Sequence, residues 1–160
     1  VDGHYHSCNP GAAVMIATPY SKNRRVVTVI DTDAPGGTHV GKVAMIEVVA
    51  LMIGDIVQCA SRERYDDPQP VVPGMFLKRG APKSLFRPGS STTLLVFEKD
   101  RVQFAPDLIA NQARAQAHSR YSAGFGQPLI ETDVRVRSLI AHAVTGARRA
   151  GALLEDYHVE

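Results

Sequence analysis

Apolar and polar positions along the chain mark out a succession of short strands before they mark any helix. Arg25-Val26-Val27-Thr28-Val29-Ile30 is rich in β-branched residues and predicts a strand, and Asp31-Thr32-Asp33-Ala34-Pro35-Gly36-Gly37 closes it with strong turn chemistry. Residues 40–50 and 53–60 are two further apolar segments that pivot near Met52-Ile53-Gly54-Asp55. The first is almost wholly apolar, as expected of a central strand covered on both faces. Within residues 72–82, Gly74 and Gly80 predict two tight turns flanking a short strand, a pattern used by small β-barrels. Leu85-Phe86 and residues 92–97 give the next strands, with Lys99-Asp100 as a hairpin turn into Val102-Gln103-Phe104. The pattern then changes. Residues 107–118 are rich in Ala and Gln behind Pro106 and predict a helix, residues 119–128 a loop, residues 129–136 a strand, and residues 139–154 a second helix. The implied fold is α+β and mainly β: a small hybrid barrel or sandwich-like β core with one or two C-terminal helices. Residues 40–60 and 92–104 form its predicted core, where Leu95→Ala would cost about 2–5 kcal/mol.

The chain has 160 residues, 44% hydrophobic and 21% charged, enough for one domain with a sizeable core, so a single domain spanning residues 1–160 is expected. Its net charge of +2 is spread over scattered pairs such as Arg24-Arg25, Lys78-Arg79 and Arg148-Arg149. No nucleic-acid partner is expected from that pattern, although a mildly basic surface tolerates peripheral contact with an anionic membrane. Cys8 and Cys59 belong to no CxxC pair and read as free, buried thiols of a reducing cytoplasm. No signal peptide or spanning segment is evident, and a chain opening on Val1 is expected to be a fragment or a processed product.

Candidate chemistry is sparse. His4 and His6 would share one face of a strand, but two imidazoles without a third ligand do not make a metal site, and no metal is assigned. Asp31 and Asp33 are read as capping their turn. The remaining feature is Phe86-Arg87-Pro88-Gly89-Ser90-Ser91-Thr92, which sets a Gly-Ser pair just before a predicted strand. The chain contains neither a G-x-S-x-G elbow nor a phosphate-binding Gly-rich loop.

Several stretches in order resemble the phosphatidylserine decarboxylase family, the pyruvoyl-dependent decarboxylases that cleave themselves within a Gly-Ser-Thr or Gly-Ser-Ser motif. They are Asn23-Arg24-Arg25-Val26-Val27, then Val49-Ala50-Leu51-Met52-Ile53-Gly54-Asp55-Ile56, Lys78-Arg79-Gly80 and Phe86-Arg87-Pro88-Gly89-Ser90-Ser91. Phe97-Glu98-Lys99-Asp100-Arg101-Val102, Asp107-Leu108-Ile109-Ala110-Asn111 and Glu131-Thr132-Asp133-Val134-Arg135-Val136 extend the match downstream. The resemblance implies cleavage between Gly89 and Ser90, giving a β chain of residues 1–89 and an α chain of residues 90–160 that remain associated. Ser90 would become a covalent pyruvoyl group, the Schiff-base electrophile of the decarboxylation, with Ser91 and Phe86 in supporting places and no other cofactor.

The family's activating His-x-x-His stretch would precede residue 1, so His4 and His6 do not take that role and the general base is expected upstream. The acidic pair usual after the Lys-Gly turn is replaced by Ala81-Pro82. The implied substrate is phosphatidylserine or a related small molecule bearing a free α-amino acid group. The implied setting is a homo-oligomer in the cytoplasm, peripheral to the inner face of the membrane. A soluble L-amino-acid decarboxylase of the same family and a non-catalytic β-rich binding module are the alternatives.

Overall fold

The computed structural model describes residues 1–9, 12, 15, 19–88, 91–112 and 131–144. Seven strands and two short helices are defined among them: α1 (Pro19–Lys22), β1 (Arg25–Asp31), β2 (Lys42–Val48), β3 (Asp55–Gln58), β4 (Ser84–Arg87), β5 (Thr92–Phe97), β6 (Val102–Phe104), α2 (Pro106–Gln112) and β7 (Ala141–Ala143). The fold is mainly β, as the succession of short apolar segments and turns predicts. Among the described residues three small sheets are formed, in the orders β1-β2-β5, β3-β4 and β6-β7.

The chain divides into two compact units, Val1–Val27 with Ile46–Thr93 and Thr28–Met45 with Leu94–Glu160. In the first, β3 and β4 pair antiparallel with Asp55 opposite Arg87, Ile56 opposite Phe86, Val57 opposite Leu85 and Gln58 opposite Ser84. Val48, Val49, Ile53, Ile56, Cys59 and Ala60 are its buried apolar residues. Asn23 and Glu47 are buried beside them, at 0% and 2% exposure. Two polar groups this deep require partners, because an unpaired one costs about 1–3 kcal/mol or more.

In the second unit, the 31–41 connection is stitched by its own side chains. The Asp33 amide donates to Asp31 Oδ1 at 3.0 Å, the Val40 amide to Thr32 Oγ1 at 2.9 Å, and Thr32 Oγ1 to the Gly41 carbonyl at 2.6 Å. Arg101 then binds Asp33 Oδ2 at 2.5 Å, and Glu98 Oε1 accepts the Lys42 amide at 3.1 Å. The two aspartates therefore hold a turn, as read from sequence. Gly41 has φ +78°, and a Cβ there would run into the Glu98 carboxylate and the Arg101 guanidinium. Left-handed backbone costs an L-residue about 1–2 kcal/mol, and displacing the ion pair adds to it. Gly41→Ala is thus expected to lower stability by about 2 kcal/mol or more, read as a lower urea midpoint at unchanged slope.

Five sequence expectations are corrected. No strand forms between the turns at Gly74 and Gly80, where Phe76 is exposed. Residues 131–136 are not a strand, while residues 129–130 lie outside the described residues. Ala141–Ala143, expected as helix, is β7, and β6 pairs with it rather than folding back on β5 across Lys99-Asp100. Val102 faces Ala143 and Phe104 faces Ala141 in that ladder. The apolar run of β5 is not core: β5 is an edge strand whose Leu94, Leu95 and Val96 are all exposed, so neither face is covered there, and the large cost expected of Leu95→Ala does not apply. The helix at 107–118 is present as Pro106–Gln112, with Asp107 in its first turn. Residues 113–118, the 119–128 loop and residues 145–154 lie outside the described residues.

Candidate active site

β4 ends at Arg87 and β5 begins at Thr92, so the Gly89–Ser90 bond falls, in sequence, between strands of two different sheets. Gly89 and Ser90 themselves lie outside the described residues. Both flanks are described, and each is tied down by a chain of polar contacts within the first unit.

The upstream flank is held by Glu47. Its carboxylate accepts Lys83 Nζ at 2.7 Å and Gln58 Nε2 at 3.1 Å on Oε2, and the Ser84 hydroxyl on Oε1. Lys83 Nζ also donates to Gln58 Oε1 at 2.6 Å. Ser84 is fixed a second time through its carbonyl, which accepts the Tyr65 phenol at 2.9 Å. The Cys59 amide donates to the Lys83 carbonyl at 2.8 Å and the Ser61 amide to the Pro82 carbonyl at 3.1 Å. Phe86, singled out from sequence, is half-buried in β4 opposite Ile56, and Arg87 is exposed opposite Asp55.

The downstream flank is held through Ser91, whose half-buried hydroxyl makes a weak contact with Cys8 Sγ at 4.0 Å. Cys8 Sγ donates to the Val49 carbonyl at 3.5 Å and accepts Asn23 Nδ2 at 3.7 Å. Asn23 closes the chain of contacts: Nδ2 donates to the carbonyls of His6 and Val49, each at 2.9 Å, and Oδ1 accepts the His6 amide at 2.8 Å. Its backbone forms a parallel bridge with His4. His4 and His6 lie with ring centroids 5.3 Å apart, and among the described residues no group of three His, Cys, Asp or Glu side chains could hold a metal ion. The structure therefore brings His6, Cys8, Asn23 and Ser91 into one connected set.

Sequence reading missed Asn23, Gln58, Lys83 and Ser84 as site-shaping residues. Glu47 carried a signal, since a lone carboxylate inside an apolar strand needs a buried partner. Both cysteines are free thiols, but Cys8 is half-buried rather than buried. Burial pushes the Cys59 thiol up, the Glu47 charge adds to this, and the nearby Arg87 and Lys83 charges oppose it. Partial burial likewise raises the Tyr65 phenol, and the hydrogen bond that the exposed Arg24 guanidinium donates to the Tyr5 hydroxyl holds that guanidinium further up. Because the folded chain keeps the Cys59 proton where the unfolded chain loses it, this group's contribution to stability is complete below the ordinary thiol value of 9.0 and is lost as pH rises above it. Urea midpoints should hold steady between about pH 7 and 8.5 and fall above about 9. In Cys59→Ala that fall should start later.

The sequence profile of phosphatidylserine decarboxylase matches residues 1–124. The chain belongs to the phosphatidylserine decarboxylase family. A phosphatidylserine decarboxylase proenzyme of Desulfitobacterium hafniense (strain DSM 10664 / DCB-2) is 33% identical over 109 residues, which is 68% of this chain and 31% of the relative. One from Ruminiclostridium cellulolyticum has the same identity and coverage. A third, from Chlamydia trachomatis serovar L2 (strain ATCC VR-902B / DSM 19102 / 434/Bu), is 32% identical over 114 residues, 71% of this chain and 33% of the relative. The chain thus spans about a third of the length of the curated relatives it matches. No solved structure matches it. The chain carries a serine preceded by glycine at Gly89-Ser90, with both flanks of that pair anchored in the same unit, and a serine so placed fits a serine-derived pyruvoyl group.

Proposed function

We propose that the protein is a self-processing pyruvoyl-dependent decarboxylase that releases carbon dioxide from phosphatidylserine. The observation that carries this reading is the family match running through an intact Gly89-Ser90-Ser91, with the strand on either side in place. In self-processing, the Ser90 hydroxyl attacks the Gly89 carbonyl and the Gly89–Ser90 amide becomes an ester, its nitrogen left as a free amine on residue 90. β-Elimination then breaks the ester C–O bond, releasing Gly89 as a carboxylate and leaving a dehydroalanine. Its imine tautomer takes up water and loses ammonia, leaving a ketone at the start of the new chain. Glycine at 89 leaves the attacked carbonyl open on both faces.

When formed, the pyruvoyl group supplies an electrophilic ketone that takes up a primary amine and accepts electrons as carbon dioxide leaves. The surrounding residues have a separate task. Glu47, Lys83 and Ser84 hold the strand before the bond, and Ser91, Cys8 and Asn23 hold the segment after it, so the reacting groups are fixed before chemistry begins. The same reading makes the two processed chains stay associated in a cytoplasmic homo-oligomer peripheral to the membrane. Among the described residues no helix is long and apolar enough to cross a bilayer.

Denaturing mass spectrometry of the complete gene product tests the proposal. Two fragments meeting at Gly89/Ser90 are expected, the one beginning at residue 90 blocked to Edman degradation and gaining mass with borohydride and a primary amine. One intact chain in an active preparation overturns it. Comparing phosphatidylserine vesicles with free amino acids as substrates decides the lipid role, and turnover of the amino acids alone removes it.

A further inference from the structure

We infer that the buried Glu47–Lys83–Gln58–Ser84 network is a register lock for β4, and that through β4 it positions the Gly89–Ser90 bond for cleavage. The inference rests on the processing reading above, and its test separates the two.

Hydrophobic pattern alone leaves the register of the β3–β4 ladder poorly specified. Each strand has only four residues, and at the centre Ile56 and Val57 face Phe86 and Leu85. Neighbouring residues of a strand point to opposite faces, so both faces of this ladder carry one apolar pair. A slip by one residue would still set one apolar pair together, Ile56 with Leu85 or Val57 with Phe86, so the usual penalty for a slip, a whole apolar face turned to water, is reduced. The polar network supplies the missing specification. Gln58 and Ser84 are direct cross-strand partners, and both bind the same carboxylate. Glu47, at 2% exposure, comes from β2 and cannot follow a slipping β4, while Lys83 enters from the residue before the strand. A one-residue slip would carry Ser84 and Lys83 away from Glu47 and leave a buried carboxylate with Gln58 alone of its three partners.

Such a slip also matters downstream. One residue of strand is about 3.3 Å, comparable to the whole distance across which a nucleophile must be placed. Between Ser84 and Gly89 lie only Leu85, Phe86 and Arg87 of β4 and then Pro88. The network therefore fixes the start of β4, five residues in sequence ahead of the bond to be cut. Buried ion pairs often add little stability over well-packed apolar residues, so retaining one here is explained better by specification of geometry than by stabilisation.

The test is the cleavage half-time of the newly made complete gene product, followed by denaturing electrophoresis and mass spectrometry, with thermal midpoints measured in parallel in a Ser90→Ala background. Glu47→Leu combined with Lys83→Met should keep the thermal midpoint within a few degrees and slow cleavage at least tenfold. Lys83→Arg, which preserves the charged donor, should cut close to the parental rate, a rescue that bulk stabilisation does not predict. In the uncut background, amide exchange at Ile56 and Val57 should accelerate in the double variant while β1 stays protected. A double variant that cuts at the parental rate, from a parent that cuts, overturns the register lock alone. A parent that stays in one piece overturns the processing reading and the inference with it. Should the double variant fail to fold, Ser84→Ala and Gln58→Leu each remove one cross-strand contact to Glu47 and are expected to slow cleavage severalfold; parental rates in both overturn the lock.

Discussion

Replacing Ser90 with alanine is expected to leave the complete gene product in one piece and without measurable decarboxylase activity. In the proposed processing the side chain at 90 has two successive jobs: its oxygen is the nucleophile that opens the peptide bond, and its carbon skeleton becomes the ketone. Alanine has the carbons without the oxygen, so the first job fails and the second is never reached. The loss should be complete rather than partial, since unassisted peptide hydrolysis is negligible on the timescale of the assay. Ser91 provides the control. Its hydroxyl makes one weak contact, to Cys8 at 4.0 Å, so Ser91→Ala should cut at the same bond and within about tenfold of the parental rate. The fragment masses decide between the serines: a junction at 90/91, or a Ser90→Ala chain that still cuts or decarboxylates, would show that the chemistry does not begin at Ser90. Stability should not change in either variant, which separates a missing nucleophile from a damaged fold.

That a cleavage bond could be proposed from sequence at all owes little to the local residues. Gly-Ser-Ser in a turn is commonplace; its meaning came from the ordered stretches around it, and the family match over residues 1–124 bears out the resemblance. The fold was legible where strand pattern and turn chemistry agreed, as at β1 and the turn after Asp31. It was illegible where backbone pairing overrode composition. Ala141-His142-Ala143 has no β-branched residue and becomes a strand because its backbone pairs with residues 102–104. The run Leu94-Leu95-Val96 misled in the other direction, since an apolar sequence cannot announce that its strand lies at the edge of a sheet. The flanking networks were hidden for a third reason. Lys83 lies 36 positions from Glu47, and Asn23 lies 26 from the Val49 carbonyl, so neither pairing has a local signature. A buried acid in an apolar strand says only that a partner exists.

Asn23→Leu is expected to destabilise the first unit by about 2–4 kcal/mol, a large effect for a single side chain. Leucine is of similar size to asparagine, so packing changes little and the loss is mainly one of hydrogen bonding. The amide side chain, 0% exposed, serves three backbone groups: the His6 amide and the carbonyls of His6 and Val49. The His6 groups lie toward solvent, and water can replace part of what they lose. The Val49 carbonyl is buried and, among the described residues, keeps the weak Cys8 thiol at 3.5 Å, so most of the cost falls there. Asn23→Asp sharpens the argument, because a carboxylate keeps the acceptor for the His6 amide but turns a negative charge toward two carbonyl oxygens. Burial against those carbonyls raises the introduced carboxyl above its ordinary value of about 3.9, so the folded chain holds a proton that the unfolded chain releases. The penalty of Asn23→Asp is therefore largest at neutral pH and is relieved as pH falls through the raised folded value to below about 4. Urea unfolding at about pH 7 and about pH 4.5, on either side of the expected relief, reads both effects in a Ser90→Ala background where every chain is intact. At neutral pH the Asn23→Asp variant should be less stable than the Asn23→Leu variant, and at the acidic pH the gap should narrow. Equal neutral-pH midpoints for both variants and their parent would mean that Asn23 is not the tie between the N-terminal segment and Val49 that the geometry makes it.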